Sequence, residues 1–324
     1  MHGNHFAKSL GMRNGKVSFN IKVTIMRQTR MHQTVMQLKP LAVLLAFALL
    51  IFIALSNYLT PAFAQSNIER SFVPKSKLHN PIWTKHDAGS TIVVDHSAWD
   101  SFLGKYIKTN AQGVNLVAYG SVSGADKAAL GNYLNALQNV DVTKLNRKEQ
   151  YAYWFNLYNA STVSVVLKRY PIKSIRDIKK NKLDIYGPFN DTVVKVNGKK
   201  LTLNKIESGI VRPIWNDPLL HYGFNCAAVT CPNLGKKAFT GAKVNSQLRA
   251  AAVAYVNSPR GVTIKDGKIV ASKIYFWYEG DFGGSETAIL NHLIRYANKD
   301  LKAKLAGKTT IEKYIYDWSL NDAR

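Results

Sequence analysis

Cysteine and acidic residues are what this chain has little of. Its 324 residues hold two cysteines, and 20 Asp and Glu stand against 44 Lys and Arg, a formal net charge of +24. Two cysteines allow one internal disulfide or a pair of thiols. They fall short of a structural zinc site, which draws four ligands from tighter pairs such as Cys-x-x-Cys. The sequence has no zinc-finger spacing, no glycine-rich phosphate loop, no long heptad run and no internal repeat. Its longest apolar block, residues 41–55, is shorter than the roughly 20 residues a spanning helix needs.

Acid is wholly missing from the first 64 residues, which carry seven Lys and Arg. A basic leader, the apolar block at 41–55 and then Pro61-Ala62-Phe63-Ala64-Gln65 form the three parts of a secretory signal peptide, cleaved after Ala64. The leader is longer than usual, which admits a start at Met26, Met31 or Met36. The expected location is periplasmic or secreted. Removing the seven basic residues leaves 37 against 20 acidic ones, a net charge of +17 on residues 65–324. Scattered lysine on an exported chain suits anionic envelope polymers, lipid head groups or a peptide substrate. Nucleic acid is not expected as a partner. No cofactor or metal is expected, and no spanning helix in the mature chain.

About 260 residues suffice for one large core. Residues 65–95 are polar with little periodicity and predict an extended lead-in. The spacing of Trp99, Phe102, Leu103 and Tyr106 predicts a helix over 98–108 capped by Ser97. A second helix starts at Ser123 or Asp126. A third follows Asn146, with Glu149 three later as in a capping box, and runs through Trp154, Asn156 and Asn159 to end before Pro171. Two Asn on one face of an aromatic helix predict a buried polar network, because Asn competes poorly inside helices unless its amide is bonded. Asn197-Gly198 and Asp266-Gly267 each mark a hairpin. Asn204 is expected to open a short helix with Glu207 at its third position. Helices over 245–256 and 286–297 and a strand over 310–318 complete the chain. The expected fold is a single mixed α+β domain over 96–324, with a helical N-terminal half and short strands and hairpins after it.

Chemistry concentrates in His221-Tyr-Gly-Phe-Asn225-Cys226-Ala-Ala-Val-Thr-Cys231-Pro. Residues 219–222 read as a short buried strand and Gly223-Phe224-Asn225 as a turn. A thiol beside a base or a positive charge becomes a nucleophile, and His221 reaches Cys226 only if the chain bends at Gly223. A Cys226–Cys231 disulfide is an equally weighted reading, and a His221, Cys226, Cys231 metal site ranks third. Asp281 or Glu207 is the candidate acid to orient His221. Both acids have simpler duties as caps, and His292 reads as a partly exposed helical histidine. Asn156 and Asn159 either pin a neighbouring loop or orient a substrate, with Trp154 and Asn225 beside them as support.

The chain resembles a family known as domain of unknown function 547, found in exported bacterial proteins and in plant proteins. The resemblance rests on Tyr153-Trp154-Phe155-Asn156-Leu157-Tyr158-Asn159-Ala160, on residues 203–212 with Ile206-Glu207, and on Asp217-Pro218 with His221, Cys226 and Cys231-Pro232. Trp277-Tyr278, Asp281-Phe282 and Tyr316-Asp317-Trp318 complete it, so that it spans roughly residues 99–321. Relatives in plants keep the residue matching Cys226 more often than the one matching Cys231, which implies that Cys226 is the functional thiol. A papain-like or transglutaminase-like arrangement is the fold analogy. The functional expectation is a thiol-dependent hydrolase or acyltransferase of the cell envelope, with Cys226 as nucleophile and His221 as base. Its alternative is a non-catalytic periplasmic binding module with a structural disulfide.

Overall fold

A computed structural model describes residues 69–323, apart from 72, 182, 183, 185 and 186. The leader, its apolar block and the Ala64 cleavage site lie outside the described residues. From Glu69 onward the chain forms one compact α+β unit.

Its axis is a helix, α3 (Arg147–Leu167). Helices α1 (Ser97–Tyr106) and α2 (Gly124–Gln138) precede it, with a small antiparallel pair, β1 (Ile107–Thr109) and β2 (Asn115–Val117), between them. Helix α3 is apolar and aromatic on all sides, so it is buried on all sides. Asn146 caps it, accepting from Glu149 N at 3.0 Å. The expected capping box forms only by half. The Glu149 carboxylate turns outward and accepts from Val94 N at 2.9 Å and Gly241 N at 3.1 Å, tying two loops to the helix start. Helix α1 also differs: His96 occupies the cap without a side-chain bond, and the Asp95 carboxylate takes the Ser97 N–H.

Both hairpins form as their turns predict. Strands β3 (Thr192–Val196) and β4 (Lys199–Thr202) meet at Asn197-Gly198, and β5 (Val262–Lys265) and β6 (Lys268–Ser272) at Asp266-Gly267. All four turn residues have positive φ, the left-handed conformation that two-residue hairpin loops demand. Strand β7 (Lys313–Ile315) lies parallel to β6 and is shorter than the strand expected over 310–318.

After β4 comes α4 (Leu203–Ile206). It is capped by Thr202, whose hydroxyl accepts from Lys205 N, so Asn204 sits inside the helix rather than at its start. Glu207 therefore has no capping duty. It opens a π turn, Glu207–Val211, that runs into α5 (Arg212–Trp215). Pro213 explains the wide turn: it has no N–H to give and its ring crowds the carbonyl four residues back. The carbonyls of Ser208 and Gly209 are bonded instead by Lys77 N (3.1 Å) and His79 N (2.8 Å) of the lead-in. The lead-in is thus part of the domain. Trp83 is buried edge-on against Trp154, and Glu69 pairs with Lys273. Helices α6 (Val244–Val256), α7 (Lys273–Trp277), α8 (Glu286–Tyr296) and α9 (Lys299–Leu305) close the far side.

Candidate active site at the Cys226–Cys231 loop

Residues 219–222, expected as a strand, fall in a 3-10 helix, Pro218–Tyr222. Asp217-Pro218 dictates it. The Asp217 carboxylate accepts from Leu219 N at 2.9 Å, and Pro at the first position is set for a helix and unfit for a ladder. The turn carries His221 into the interior, 3% exposed. At Gly223 the chain passes so close to α3 that a Cβ would stand 2.5 Å from the Phe155 ring.

Asn159 of α3 grips the chain there. Its amide nitrogen donates to Gly223 O and its oxygen accepts from Asn225 N, both at 2.9 Å. Asn225 then folds the loop on itself, donating to Pro232 O at 2.8 Å and accepting from Ala227 N at 3.0 Å. Ala227 takes φ 64°, a strained value for a residue with a side chain. Arg260 holds the far side, donating to Val229 O and Cys231 O. Within this frame Cys226 and Cys231 are joined as a disulfide with Cα atoms 6.3 Å apart. The Tyr316 hydroxyl stands 3.2 Å from Cys226 Sγ and 3.1 Å from Cys231 Sγ.

His221 Nε2 lies 2.8 Å from Asp281 Oδ2. A carboxylate only accepts, so Nε2 carries the proton and the basic lone pair is on Nδ1. The ring stacks on Tyr278, centroids 4.1 Å apart. Burial pulls the His221 pKa below its usual value, outweighing the upward pull of the bond to Asp281. Arg212 grips the same carboxylate, Nε to Oδ2 at 2.6 Å and Nη2 to Oδ1 at 3.1 Å. Burial alone would raise the Asp281 pKa, but the bonds from His221 and Arg212 override it and hold the carboxyl well below the ordinary range.

A cavity of about 360 Å³ opens between these groups. His221, Glu207 and both cysteines line it, and Val73 and Pro74 of the lead-in form part of its wall. Residues 142–256, which contain α3, the 3-10 turn and the disulfide loop, match the model of the family described as "Protein of unknown function, DUF547". This segment is a DUF547 domain. No curated protein and no solved structure matches the chain.

The matched DUF547 segment is shorter than the resemblance read over 99–321. It ends before Asp281, which bonds His221, and before Tyr316, which lines the cavity. Of the two candidate acids, Asp281 bonds His221 and Glu207 does not; Glu207 lines the cavity on its own account. No hydrogen bond joins His221 to Cys226, although both line the same space. Asn156 bonds the backbone of Phe239 in both directions (2.8 and 3.0 Å), and Trp154 packs on Trp83, so neither reaches the cavity. His292 is buried rather than partly exposed, its Nε2 2.8 Å from the Tyr222 hydroxyl. With the two sulfurs bonded to each other, the three-ligand metal arrangement is not formed. Among the described residues no group of three or more His, Cys, Asp and Glu is placed to hold a metal ion.

Arg212, Arg260 and Tyr316 were not among the site residues expected from the sequence, although Arg212 and Tyr316 lie in stretches that carry the resemblance. Arg212 had a signal: a lone arginine in the apolar run Ile210-Val-Arg-Pro-Ile-Trp215 must be buried, and a buried arginine needs an acid. Tyr316 and Trp318 also had one, since aromatics two apart on an extended stretch share a face. Arg260 had none, because a single arginine beside Pro259 looks like any solvated loop residue.

Proposed function

We propose that this chain is an exported, periplasmic or secreted thiol-dependent hydrolase or acyltransferase whose nucleophile, Cys226, is held in reserve as a disulfide with Cys231. The reading rests on one observation: Cys226 and His221 line a single cavity, and Asp281, bonded to His221 Nε2, leaves the basic nitrogen of that ring uncommitted. In this scheme an external dithiol is oxidised as the Cys226–Cys231 bond is reduced to two thiols. His221 Nδ1 takes the Cys226 proton, and Asp281 stabilises the imidazolium that results. The thiolate adds to an acyl carbonyl and the leaving group departs with the proton from His221. Water or another acceptor then releases the acyl group from Cys226. Tyr316, already in contact with Cys226 Sγ, supplies a hydrogen bond to the thiolate. Asn159 and Asn225 hold the loop in place, and Asn156 with Trp154 supports the helix behind it.

The bond between the two cysteines also favours a second reading, a binding module in which the disulfide is permanent and His221 and Asp281 only fill the core. Alkylation separates the two. In a Cys231→Ser variant, Cys226 is expected to react with iodoacetamide with an apparent pKa at least one unit below the usual value of about 8.5, and His221→Asn is expected to restore that value. A Cys226 thiol that titrates ordinarily in both variants would sink the catalytic reading and leave the binding module.

A further inference from the structure

Glu207 is only 8% exposed and faces the cavity. None of the ion pairs formed among the described residues involves it. The adjoining basic groups act on it only through space. Arg212 is engaged by both oxygens of Asp281, and burial keeps His221 neutral at neutral pH. The hydroxyls of Tyr158 and Tyr278 come within hydrogen-bonding reach of the Glu207 carboxylate, but they bring no charge. Asp281 accepts two hydrogen bonds from Arg212, and Glu207 is left without a hydrogen-bonded cation. A buried carboxylate without a cation is costly. Among the described residues no Lys or Arg forms an ion pair with it.

The remaining wall suits a cation. Trp277, Tyr316 and Trp318 cluster there with ring centroids 4.7 to 5.8 Å apart. Aromatic faces attract cations, most strongly where water is excluded. At the same cavity Arg176 sets its guanidinium 5.1 Å above the Trp318 ring and would repel a second positive charge.

We propose that this cavity binds a protonated primary amine, with the ammonium on Glu207, the alkyl chain against Trp277, Tyr316 and Trp318, and a neutral or anionic far end toward Arg176. A primary ammonium fits better than a quaternary one because the carboxylate accepts N–H bonds. A four- or five-carbon chain with its end groups is well within about 360 Å³. The group could belong to a free ω-amino acid or to a lysine side chain of a peptide. The site goes beyond the thiol reading and does not depend on it, because it exists with the disulfide intact.

The test is isothermal titration of the oxidised chain with 6-aminohexanoate, Nα-acetyl-lysine amide and the uncharged hexanamide. Both amines are expected to bind saturably and at least tenfold tighter than hexanamide, and Glu207→Gln is expected to lose at least tenfold of that affinity. Tighter binding of the lysine amide assigns the amine to a peptide side chain; tighter binding of 6-aminohexanoate assigns it to a free ω-amino acid. Should Glu207→Gln fail to fold, Trp318→Leu replaces it, with severalfold weaker amine binding expected. The proposal is overturned if hexanamide binds as well as the amines, if no amine binds saturably, or if the variant that folds keeps full amine affinity. Because no thiol takes part, failure here leaves the alkylation result on Cys226 standing, and the reverse holds too.

Discussion

Asp281 is the residue on which the most charge converges. Replacing it by Asn keeps the shape but leaves Arg212 buried without its hydrogen-bonded anion, the situation in which broken buried pairs cost about 3–5 kcal/mol. Urea denaturation of Asp281→Asn should show a loss of about 3 kcal/mol; a loss below about 1 kcal/mol would mean that Pro74 O and Ser208 Oγ, the other acceptors for Arg212, suffice. Histidines with lowered pKa values shape the response to acid. Burial lowers the pKa of His96 and His292 to about 4 and pulls those of His79 and His221 below the usual value. In the unfolded chain the same rings take up protons near pH 6.5. Between these limits the unfolded state binds more protons, so stability is full above about pH 6.5 and falls as the pH drops toward 4. Melting temperature measured from pH 8 to pH 4 should fall steadily below about 6.5, and His96→Phe should flatten that fall. A profile level down to pH 5 would contradict the buried neutral rings.

At the scale of elements, Asn159 links α3 to the loop that carries Cys226. Asn159→Ala removes two buried hydrogen bonds to backbone groups that have no other partner in reach, a cost of about 2–4 kcal/mol. It should also speed reduction of the disulfide severalfold by dithiothreitol at a pH where both proteins are folded, since the loop is no longer clamped at its entrance. Equal reduction rates would place the control of the loop in Arg260 instead. Elements of this kind differ in how plainly they show in the sequence. The two hairpins and α3 were legible because their signals are local: Asn-Gly and Asp-Gly turns, and an aromatic run behind Asn146. Residues 219–222 were misread because an apolar run looks like a strand, whereas the deciding signal, Asp217-Pro218, precedes it. The π turn was not legible, since it answers to a proline five residues on and to a lead-in more than a hundred residues away. The His221–Asp281 bond spans 60 positions, and no local pattern chooses between Asp281 and Glu207. That choice depends on where α4 and the Glu279–Phe282 turn come to rest.

At the scale of the molecule, the chain's last described residues stitch its parts together. Leu320 N bonds Lys173 O, Asn321 N bonds Ala227 O, and Val117 N bonds Asn321 O, all within 3.0 Å. The Asn321 side chain, 1% exposed, bridges Tyr119 and Asn225. Deleting residues 319–324 should therefore lower the melting temperature by more than 10 °C, whereas adding residues after 324 should leave it within about 2 °C. A deletion that melts like the parent would show that these bonds only decorate the surface. Tyr316, which touches both sulfurs, belongs to the same final segment and lies 90 positions after Cys226. Order of synthesis follows from that distance. At 5–20 residues per second the cysteine loop is out of the ribosome for roughly 5–20 s before Tyr316 exists. The two sulfurs need only a short local loop to meet, and nothing in the final segment is required to bring them together. The pocket wall that Tyr316 supplies is made after both of them.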